Sequence, residues 1–226
     1  MKEAMLELKN VTKILTNEEI PVTLVKDVNC CINEGEFVAV TGPSGSGKSS
    51  LMYLMGLLDV PTEGKVFIDG IDTTVASKKE KELIRLEKIG FVFQFHFLLE
   101  EFTVLGNIIL PMRKLGELSE KQMLERAEML LDHFGLKESG NKKITQLSGG
   151  ERQRVAVARA MANDPLIILA DEPSGNLDTK NAGIIFNLFM KLAEKENKTV
   201  ITITHDISLA SRTHRRIHIV DGKITK

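Results

Sequence analysis

The feature that most constrains this chain is a glycine-rich segment that stands between an apolar run and an amphipathic run. Residues 42–49 fit the pattern GxxxxGK[ST]. The run Glu36–Val40 predicts a buried strand, and Ser49–Leu58 has the apolar spacing of a helix. A strand that enters a helix through such a loop points successive backbone N–H groups, and the positive end of the helix, at one anion. The sequence therefore predicts an α/β fold with a phosphate-binding loop.

The side chains of this loop indicate which phosphate compound it takes. Lys48 would neutralise the β- and γ-phosphates of a nucleoside triphosphate, and the Ser49 hydroxyl would hold Mg²⁺. The alternative is a plain flexible connection, which the flanking strand and helix disfavour. By itself the loop indicates only that a nucleoside triphosphate binds. The residues that we expect to contact the nucleotide here are Gly42, Pro43, Ser44, Gly45, Ser46, Gly47, Lys48, Ser49 and Ser50.

Composition excludes several classes of protein. The 226 residues carry 30 Lys and Arg against 31 Asp and Glu, so no overall charge draws the chain to nucleic acid, and we expect no nucleic-acid partner. The neighbouring Cys30 and Cys31 would point to opposite faces of a strand, which suits neither a metal site nor a disulfide. Acidic residues interrupt the N-terminus, and no apolar run approaches the roughly 18 residues of a membrane span. We expect neither a secreted nor a membrane-spanning chain.

An acidic pair follows a second apolar run. Leu166–Ala170 predicts a buried strand, and Asp171 and Glu172 come directly after it. In phosphoryl transfer an acid at such a strand end holds Mg²⁺, which fits Asp171, while Glu172 is placed to position or deprotonate the attacking water. A solvated turn is the alternative for these residues alone, and it loses weight beside a complete phosphate loop.

A second anion site is predicted far along the chain. Ser148-Gly149-Gly150 opens a predicted helix, whose exposed N–H groups and small hydroxyl can bind an anion. A lone Ser-Gly-Gly is more often a plain loop. Here, however, Leu147–Gln153 together with the motifs above resembles the ATP-binding cassette (ABC) ATPases. The resemblance covers essentially the whole chain, and the motifs stand in the order of that family.

The resemblance implies a fold, a site and a partner. The fold would be a P-loop NTPase core of the ABC ATPase type, with an N-terminal antiparallel β subdomain and an inserted helical subdomain. We expect one nucleotide-binding domain over 1–226, with a core lobe at 1–94 and 164–226 and a helical lobe at 95–163. ATP and Mg²⁺ would be its ligands, and two ATP molecules would lie between the protomers of a head-to-tail homodimer.

The resemblance also assigns roles to individual residues. Glu172, His205 and Lys48 would be catalytic, and Ser49, Gln94 and Asp171 would hold the metal. The remaining contacts to nucleotide are carried over to Gln94, Ser148, Gly149, Gly150 and Asp178.

The chain departs from the family pattern at two positions. The aromatic residue that usually stacks on adenine is replaced at or near Leu15, and the single tyrosine, Tyr53, lies elsewhere. We expect aliphatic contact from Leu15 or Val22 and weak selectivity for the base. Glu151 also stands where many members have glutamine, which is a common variant.

The biological role depends on the segment after Gln94. The segment Gln94–Phe102 is aromatic and apolar, and it predicts either core packing or a groove that grips a short helix of a membrane permease subunit. Together with Gly56–Asp59 and Asp171–Asp178, it resembles the bacterial lipoprotein-release and macrolide-export ATPases, and the lipoprotein-release subunit most. We therefore expect a peripheral ATPase on the cytoplasmic face of the inner membrane. A macrolide or peptide exporter and the cell-division ABC complex stay open as alternatives, and a soluble ABC protein acting on DNA or ribosomes fits least.

Overall fold

The computed structural model describes residues 4–16 and 21–225, which form ten strands and seven α-helices. In chain order these are β1 (Ala4–Leu15), β2 (Val22–Asn33), β3 (Phe37–Thr41), α1 (Lys48–Met55), β4 (Glu63–Ile68), β5 (Ile71–Asp72), α2 (Lys78–Lys88), β6 (Ile89–Phe93), α3 (Val104–Leu115), α4 (Glu120–His133), α5 (Gly149–Ala160), β7 (Ile167–Asp171), α6 (Thr179–Glu196), β8 (Thr199–Ile203), α7 (Ile207–Ala210), β9 (Arg215–Val220) and β10 (Lys223–Thr225).

The larger sheet has six strands in the order β10-β9-β3-β8-β7-β6. Five of them are parallel, and the edge strand β10 pairs antiparallel with β9. Strands β3 and β8 are buried along their whole length, which explains why both read as continuous apolar or β-branched runs. Alternate residues of β7 enter two different cores, Ile167 on one face and Ile168 on the other.

The smaller sheet is antiparallel and has the order β2-β1-β4-β5. Its buried side chains share one core with α1 and one face of the larger sheet. This arrangement confirms the predicted α/β core with an N-terminal antiparallel subdomain. On β2, Cys30 is half-buried against that core and Cys31 is exposed, as expected of neighbouring strand residues. Burial raises the pKa of the Cys30 thiol to about 11.

The helices α3–α5 enter the chain between β6 and β7, which are neighbours in the sheet. They pack on the second face of the sheet together with α6. The helix α4 begins at a capping box formed by Ser119 and Gln122, whose spacing in the sequence is the usual one for this motif. The helix after the phosphate loop is shorter than predicted: it ends at Met55 because Gly56 caps it and Leu57 takes a left-handed backbone. No helix in the described ranges is long and apolar enough to cross a membrane.

Candidate functional site

Four of the predicted motifs follow neighbouring parallel strands. The loop 42–49 follows β3, His205 comes shortly after β8, Asp171 and Glu172 end β7, and Gln94 follows β6. Because β3, β8, β7 and β6 lie side by side and run parallel, their carboxyl ends meet at one edge of the sheet. Crevices at this edge are where open α/β sheets bind ligands. The structure therefore brings together residues that are up to 163 positions apart in the sequence.

The phosphate loop needs glycine at two positions for steric reasons. A Cβ on Gly42 would lie 2.1 Å from the carbonyl oxygen of Ile219, and a Cβ on Gly47 would lie 2.3 Å from that of Leu24. Both glycines also have positive φ angles, of 150° and 98°. The loop is therefore held between β9 and β2 by close backbone contacts that no other residue type permits. Gly45, by contrast, faces open space.

The helix α1 starts without a side-chain cap. Each of the other six α-helices in the described residues has a Ser, Thr or Asp that accepts from its first turn. At α1 the capping position is Gly47, and the first turn contains no acidic residue. The Ser46 hydroxyl beside it is buried and has no hydrogen-bond partner among residues 4–16 and 21–225. A phosphate group would accept hydrogen bonds from the free N–H groups at the start of α1 and from this hydroxyl, and its negative charge would be stabilised by the positive end of the helix.

Lys48 is held back over the loop. Its Nζ donates to the carbonyl oxygens of Gly42 and Pro43, at 2.9 and 2.6 Å. The ammonium group therefore lies directly above the curled backbone, where a phosphate on the loop would meet it. Its partners are neutral carbonyls rather than carboxylates, so the positive charge of Lys48 is not cancelled by an ion pair in the described residues.

Asp171 lies next to the first turn of α1. Burial raises the pKa of its carboxyl group, as does the neighbouring charge of Glu172, while a hydrogen bond from Ser49 and the charge of Lys48 lower it. The raised pKa means that burial and the neighbouring carboxylate disfavour the charged form of Asp171 more than Ser49 and Lys48 favour it. A divalent cation between Asp171 and Ser49 would compensate that charge. The described residues contain no cluster of three or more His, Cys, Asp or Glu side chains that could hold a metal on its own.

Glu172 and His205 form a pair at the neighbouring strand ends. The Oε2 of Glu172 lies 2.6 Å from Nδ1 of His205, and the backbone N–H of Glu172 donates to the carbonyl of Ile203. Glu172 has a positive φ of 46°, an uncommon backbone for a residue with a side chain. Such strain is typical of functional positions, where the surroundings fix an otherwise disfavoured conformation. The imidazole is 72% exposed and the carboxylate 26%, so the pair faces solvent at the mouth of the site.

Gln94 contacts the segment that follows the acidic pair. Its Nε2 donates to Oδ1 of Asn176 at 3.1 Å, and Asn176 Nδ2 donates to the carbonyl of Gln94 at 3.5 Å. A Cβ on Gly175 would lie 2.9 Å from the Gln94 amide nitrogen. With its nitrogen engaged in this way, the amide leaves its oxygen, the atom that Mg²⁺ prefers, for a metal. The sequence did not predict a role for Asn176, although the residue lies within Asp171–Asp178, one of the ranges that carry the family resemblance.

The second predicted anion site shares no hydrogen bond with the phosphate loop in the described part of the chain. Ser148 caps α5 in a capping box, with its Oγ donating to Oε2 of Glu151 at 2.7 Å. These hydrogen bonds lower the pKa of Glu151. A Cβ on Gly150 would lie 2.5 Å from Oδ1 of Asn181, so the helix start packs closely on α6. None of the hydrogen bonds of Ser148–Gly150 within the described residues reaches the loop 42–49.

Asp178 connects this second site to α6. Its carboxylate caps α6 by accepting from the backbone N–H and the side chain of Asn181, both at 2.8 Å. The backbone hydrogen bond, followed by that from the Asn181 side chain, lowers the pKa of Asp178. Asp178 therefore has a clear structural function, beside any contact to nucleotide.

The sequence left two alternatives open for the segment after Gln94, core packing or a surface that grips a partner helix, and the structure shows that much of this segment is exposed. The rings of Phe95 and Phe97 are 66% and 63% exposed, whereas Leu98 packs against the core of the helical region. Core packing thus describes Leu98 and not the two phenylalanines. The ring of Phe97 meets that of Phe93 edge to face at 5.3 Å, and Phe93 lines an open groove of about 590 Å³ between α2, β6, α3 and the end of α5. Its apolar lining includes Leu58, Leu86, Phe91, Phe93, Leu110 and Pro111.

Comparisons with known proteins agree with one another. The family model described as "ABC transporter" matches residues 25–175. The chain is 47% identical over 225 residues to the lipoprotein-releasing system ATP-binding protein LolD 1 of Chlorobium chlorochromatii, covering 99% of this chain and 92% of that protein. It is also 47% identical over 225 residues to an uncharacterized ABC transporter ATP-binding protein, MJ0796, of Methanocaldococcus jannaschii, covering 98% and 96% of the two chains. A dimeric structure of that cassette in a post-hydrolysis state, bound to ADP and Pi, has a TM-score of 0.90 at 45% identity and covers 98% of this chain and 97% of that one.

Proposed function

The chain is an ATP-hydrolysing member of the ABC transporter family, and we propose that it powers a separate membrane subunit that releases lipoproteins from the cytoplasmic membrane. The observation that carries this proposal is similarity over nearly the full length to proteins named as lipoprotein-releasing ATP-binding subunits, at 45% identity in Aquifex aeolicus as well as 47% in Chlorobium. The archaeal relative is equally similar and is named only as an ABC transporter protein. A transporter with another cargo is therefore the second candidate.

The nucleotide would bind through the loop Gly42–Ser50. The uncapped start of α1, the unpartnered hydroxyl of Ser46 and the ammonium of Lys48 supply the donors for its phosphates. The residues at hand also fit Mg²⁺, which would be held by Ser49, Asp171 and Gln94 and would neutralise charge on the phosphates. This fit rests on the oxygen atoms that these residues offer and on the neighbouring carboxylate of Glu172, whose charge, after burial, raises the pKa of Asp171.

Hydrolysis requires a base, and Glu172 is our choice. Water would give its proton to the Glu172 carboxylate while its oxygen attacks the γ-phosphorus, and the bond to the ADP oxygen breaks. His205 lies 2.6 Å from the carboxylate and is exposed, and we expect its imidazole to contact the transferring phosphate. Lys48 would stabilise the negative charge that passes to the β-phosphate.

A complete site would need a second copy of the chain. Ser148–Gly150 begins α5 away from the phosphate loop of its own chain, and it offers first-turn N–H groups to an anion. In a head-to-tail homodimer these groups would meet the γ-phosphate bound by the partner, with Asp178 next to the contact. The dimeric structure of the similar cassette MJ0796, bound to ADP and Pi, supports a dimer as the working form.

The membrane subunit would bind at the segment Gln94–Phe102 and the adjoining groove. Exposed phenylalanines beside an apolar groove of this size suit a short amphipathic helix. Gln94 stands at one end of the segment and at the edge of the nucleotide site. Its position would therefore change with the bound nucleotide and alter the docking segment in turn. The chain would then be a peripheral subunit on the cytoplasmic face of the membrane. Its one nucleotide-binding domain would consist of a core lobe, 1–94 with 164–226, and a helical lobe, 95–163.

Affinity purification from detergent-solubilised membranes tests this partner. We expect the tagged chain to recover a polytopic membrane protein and Phe95→Glu to lose it, because a carboxylate would enter the apolar surface. Val75→Glu is the matched control, since Val75 is 80% exposed and lies outside both the segment Gln94–Phe102 and the groove. Equal recovery by both variants would reject the docking surface. Recovery of division proteins or ribosomes in place of a transporter subunit would reject the proposed role.

A further inference from the structure

The ends of β1 and β2 that face each other across residues 16–21 lie beside the phosphate loop. Leu15 and Val22 form the cross-strand pair at this end. Gly47 of the loop packs so closely on β2 that a Cβ there would collide with the carbonyl oxygen of Leu24. Leu24 is two positions from Val22, which corresponds to about 7 Å along a strand. The base of a nucleotide whose phosphates lie on the loop is therefore within reach of this pair.

The last residues of β1 are held only weakly by the sheet. The pairing of β1 with β2 is irregular on both sides of Lys13, and its pairing with β4 ends at Thr12. Within the described residues, Leu15 and Val22 belong to neither hydrophobic core. Contacts other than regular strand pairing must therefore fix the position of this end.

The segment 59–62, which follows α1, supplies such contacts. The Nζ of Lys13 donates to Oδ1 of Asp59 at 2.6 Å and to the carbonyl of Val60 at 3.0 Å. The side chain of Lys13 is only 13% exposed, so this ion pair is shielded from solvent. Next to it, the backbone N–H of Ile14 donates to Oγ1 of Thr62 at 3.0 Å.

The same segment is attached to the helix that starts in the phosphate loop. The backbone N–H groups of Leu58 and Asp59 both donate to the carbonyl of Tyr53 in α1, at 2.9 and 3.2 Å. A series of short contacts thus runs from the loop along α1 to Asp59. From there it passes through Lys13 to the end of β1, two residues before Leu15.

We propose that Lys13 is a positioning residue, whose ion pair with Asp59 holds the end of β1 at a fixed place relative to the phosphate loop. Leu15 and Val22 then contact the base, although neither has a ring that could stack on it. The proposal rests on the proposed binding of nucleotide at the loop 42–49. Because aliphatic contact is not directional, its contribution depends on where the two side chains are held. The ion pair should therefore matter for ligands that carry a base, whichever purine it is, and not for their phosphates.

Binding of ligands with and without a base to the isolated chain tests this proposal. Pyrophosphate with Mg²⁺ reports on the loop alone, whereas ADP and GDP report on the loop and the base together. We expect Lys13→Met to raise the Kd for ADP and for GDP about fivefold, as when the end of β1 is in place about a fifth of the time, and to change the Kd for pyrophosphate less than about twofold. Lys13→Arg keeps the ion pair and should restore most of the affinity.

Lys88→Met is the matched control. Lys88 lies 2.5 Å from Asp69 in the turn between β4 and β5, and the two carboxylates are similarly exposed, at 42% for Asp69 and 38% for Asp59. We expect this control to leave all three Kd values unchanged. Equal weakening of ADP and pyrophosphate by Lys13→Met, or the same loss in the control, would show a purely structural role and overturn the proposal. A loss for ADP that GDP does not share would mean that Lys13 contacts the base itself, which also overturns it.

Turnover gives a second readout. We expect Lys13→Met to raise KM for ATP about fivefold with kcat changed less than about twofold, because the groups around the transferring phosphate are untouched. A fall in kcat at unchanged KM would overturn the proposal. A wild-type chain that binds ADP no more tightly than pyrophosphate would overturn the contact with the base and leave phosphate binding at the loop intact. A wild-type chain that binds neither ligand would reject nucleotide binding at the loop, and this inference with it.

Discussion

The substitution Glu172→Gln tests the assignment of the catalytic base. The amide has the same size as the carboxylate and can still accept from Nδ1–H of His205, which lies 2.6 Å from Oε2. The position of His205 and the uncommon backbone at residue 172 should therefore persist, and only the ability to take a proton is lost. A general base contributes about 10²–10⁴ in rate, or about 3–5.5 kcal/mol of activation free energy.

We expect kcat to fall by at least about 10²-fold, measured by phosphate release at saturating ATP, while ATP binding is retained. Because the ATP-bound dimer closes but cannot hydrolyse its ATP, the dimer should persist and be detected by size-exclusion chromatography. Glu196→Gln is the matched control: its carboxylate likewise contacts a histidine, His133, at 3.2 Å, but far from the strand ends. We expect its turnover to stay within about twofold of wild type. Normal turnover by Glu172→Gln would refute the assignment.

Three further predictions follow from the site. Ser148→Arg should abolish turnover and dimer formation while leaving ATP binding intact; Ser119→Arg removes a cap of the same kind from α4 and should keep both, so equal effects would reject the cross-dimer site. Leu15 and Val22 pair across β1 and β2, are 38% and 41% exposed, and offer the base no aromatic ring; kcat/KM for GTP should therefore be close to that for ATP, and a hundredfold preference for ATP would contradict this. Asp171→Asn should raise the Tm near neutral pH. The pKa of Asp171 in the folded protein is above its ordinary value of about 4, so the folded protein loses stability as the pH rises through that folded pKa and the carboxyl group ionises. In thermal melts the gain in Tm should vanish below about pH 4, where the carboxyl group is protonated, and a gain that persists there would show another origin.

Local structure could be predicted where the sequence carries a local cause. The strands β3 and β7 each lie within one residue of the predicted runs Glu36–Val40 and Leu166–Ala170. The capping box at Ser119 likewise marks the start of α4. The phosphate loop needed only its glycines and its flanking elements. In each case the decisive interaction, whether a cap or a burial period, lies within a few residues of the position that it determines.

Contacts between distant segments could not be predicted from the chain alone. The helix α1 ends earlier than predicted because Leu57 adopts a left-handed backbone conformation, which the presence of a leucine does not predict. Gln94 binds Asn176 at a separation of 82 positions, and Arg159 binds Phe97 at 62. These pairs are fixed by the packing of whole elements against the sheet. The family resemblance supplied an expected role for Gln94, but nothing in the sequence pointed to Arg159.

Release of a lipoprotein from a reconstituted membrane tests the central claim most directly. The chain would be assembled with its co-purified membrane subunit in proteoliposomes that contain a labelled lipoprotein, and released label would be measured with and without ATP and Mg²⁺. We predict release that requires ATP and is lost with Lys48→Ala, whose ammonium lies over the phosphate loop. ATP hydrolysis that is stimulated by the membrane subunit but leaves the lipoprotein in the bilayer would contradict the claim and assign the ATPase to another cargo.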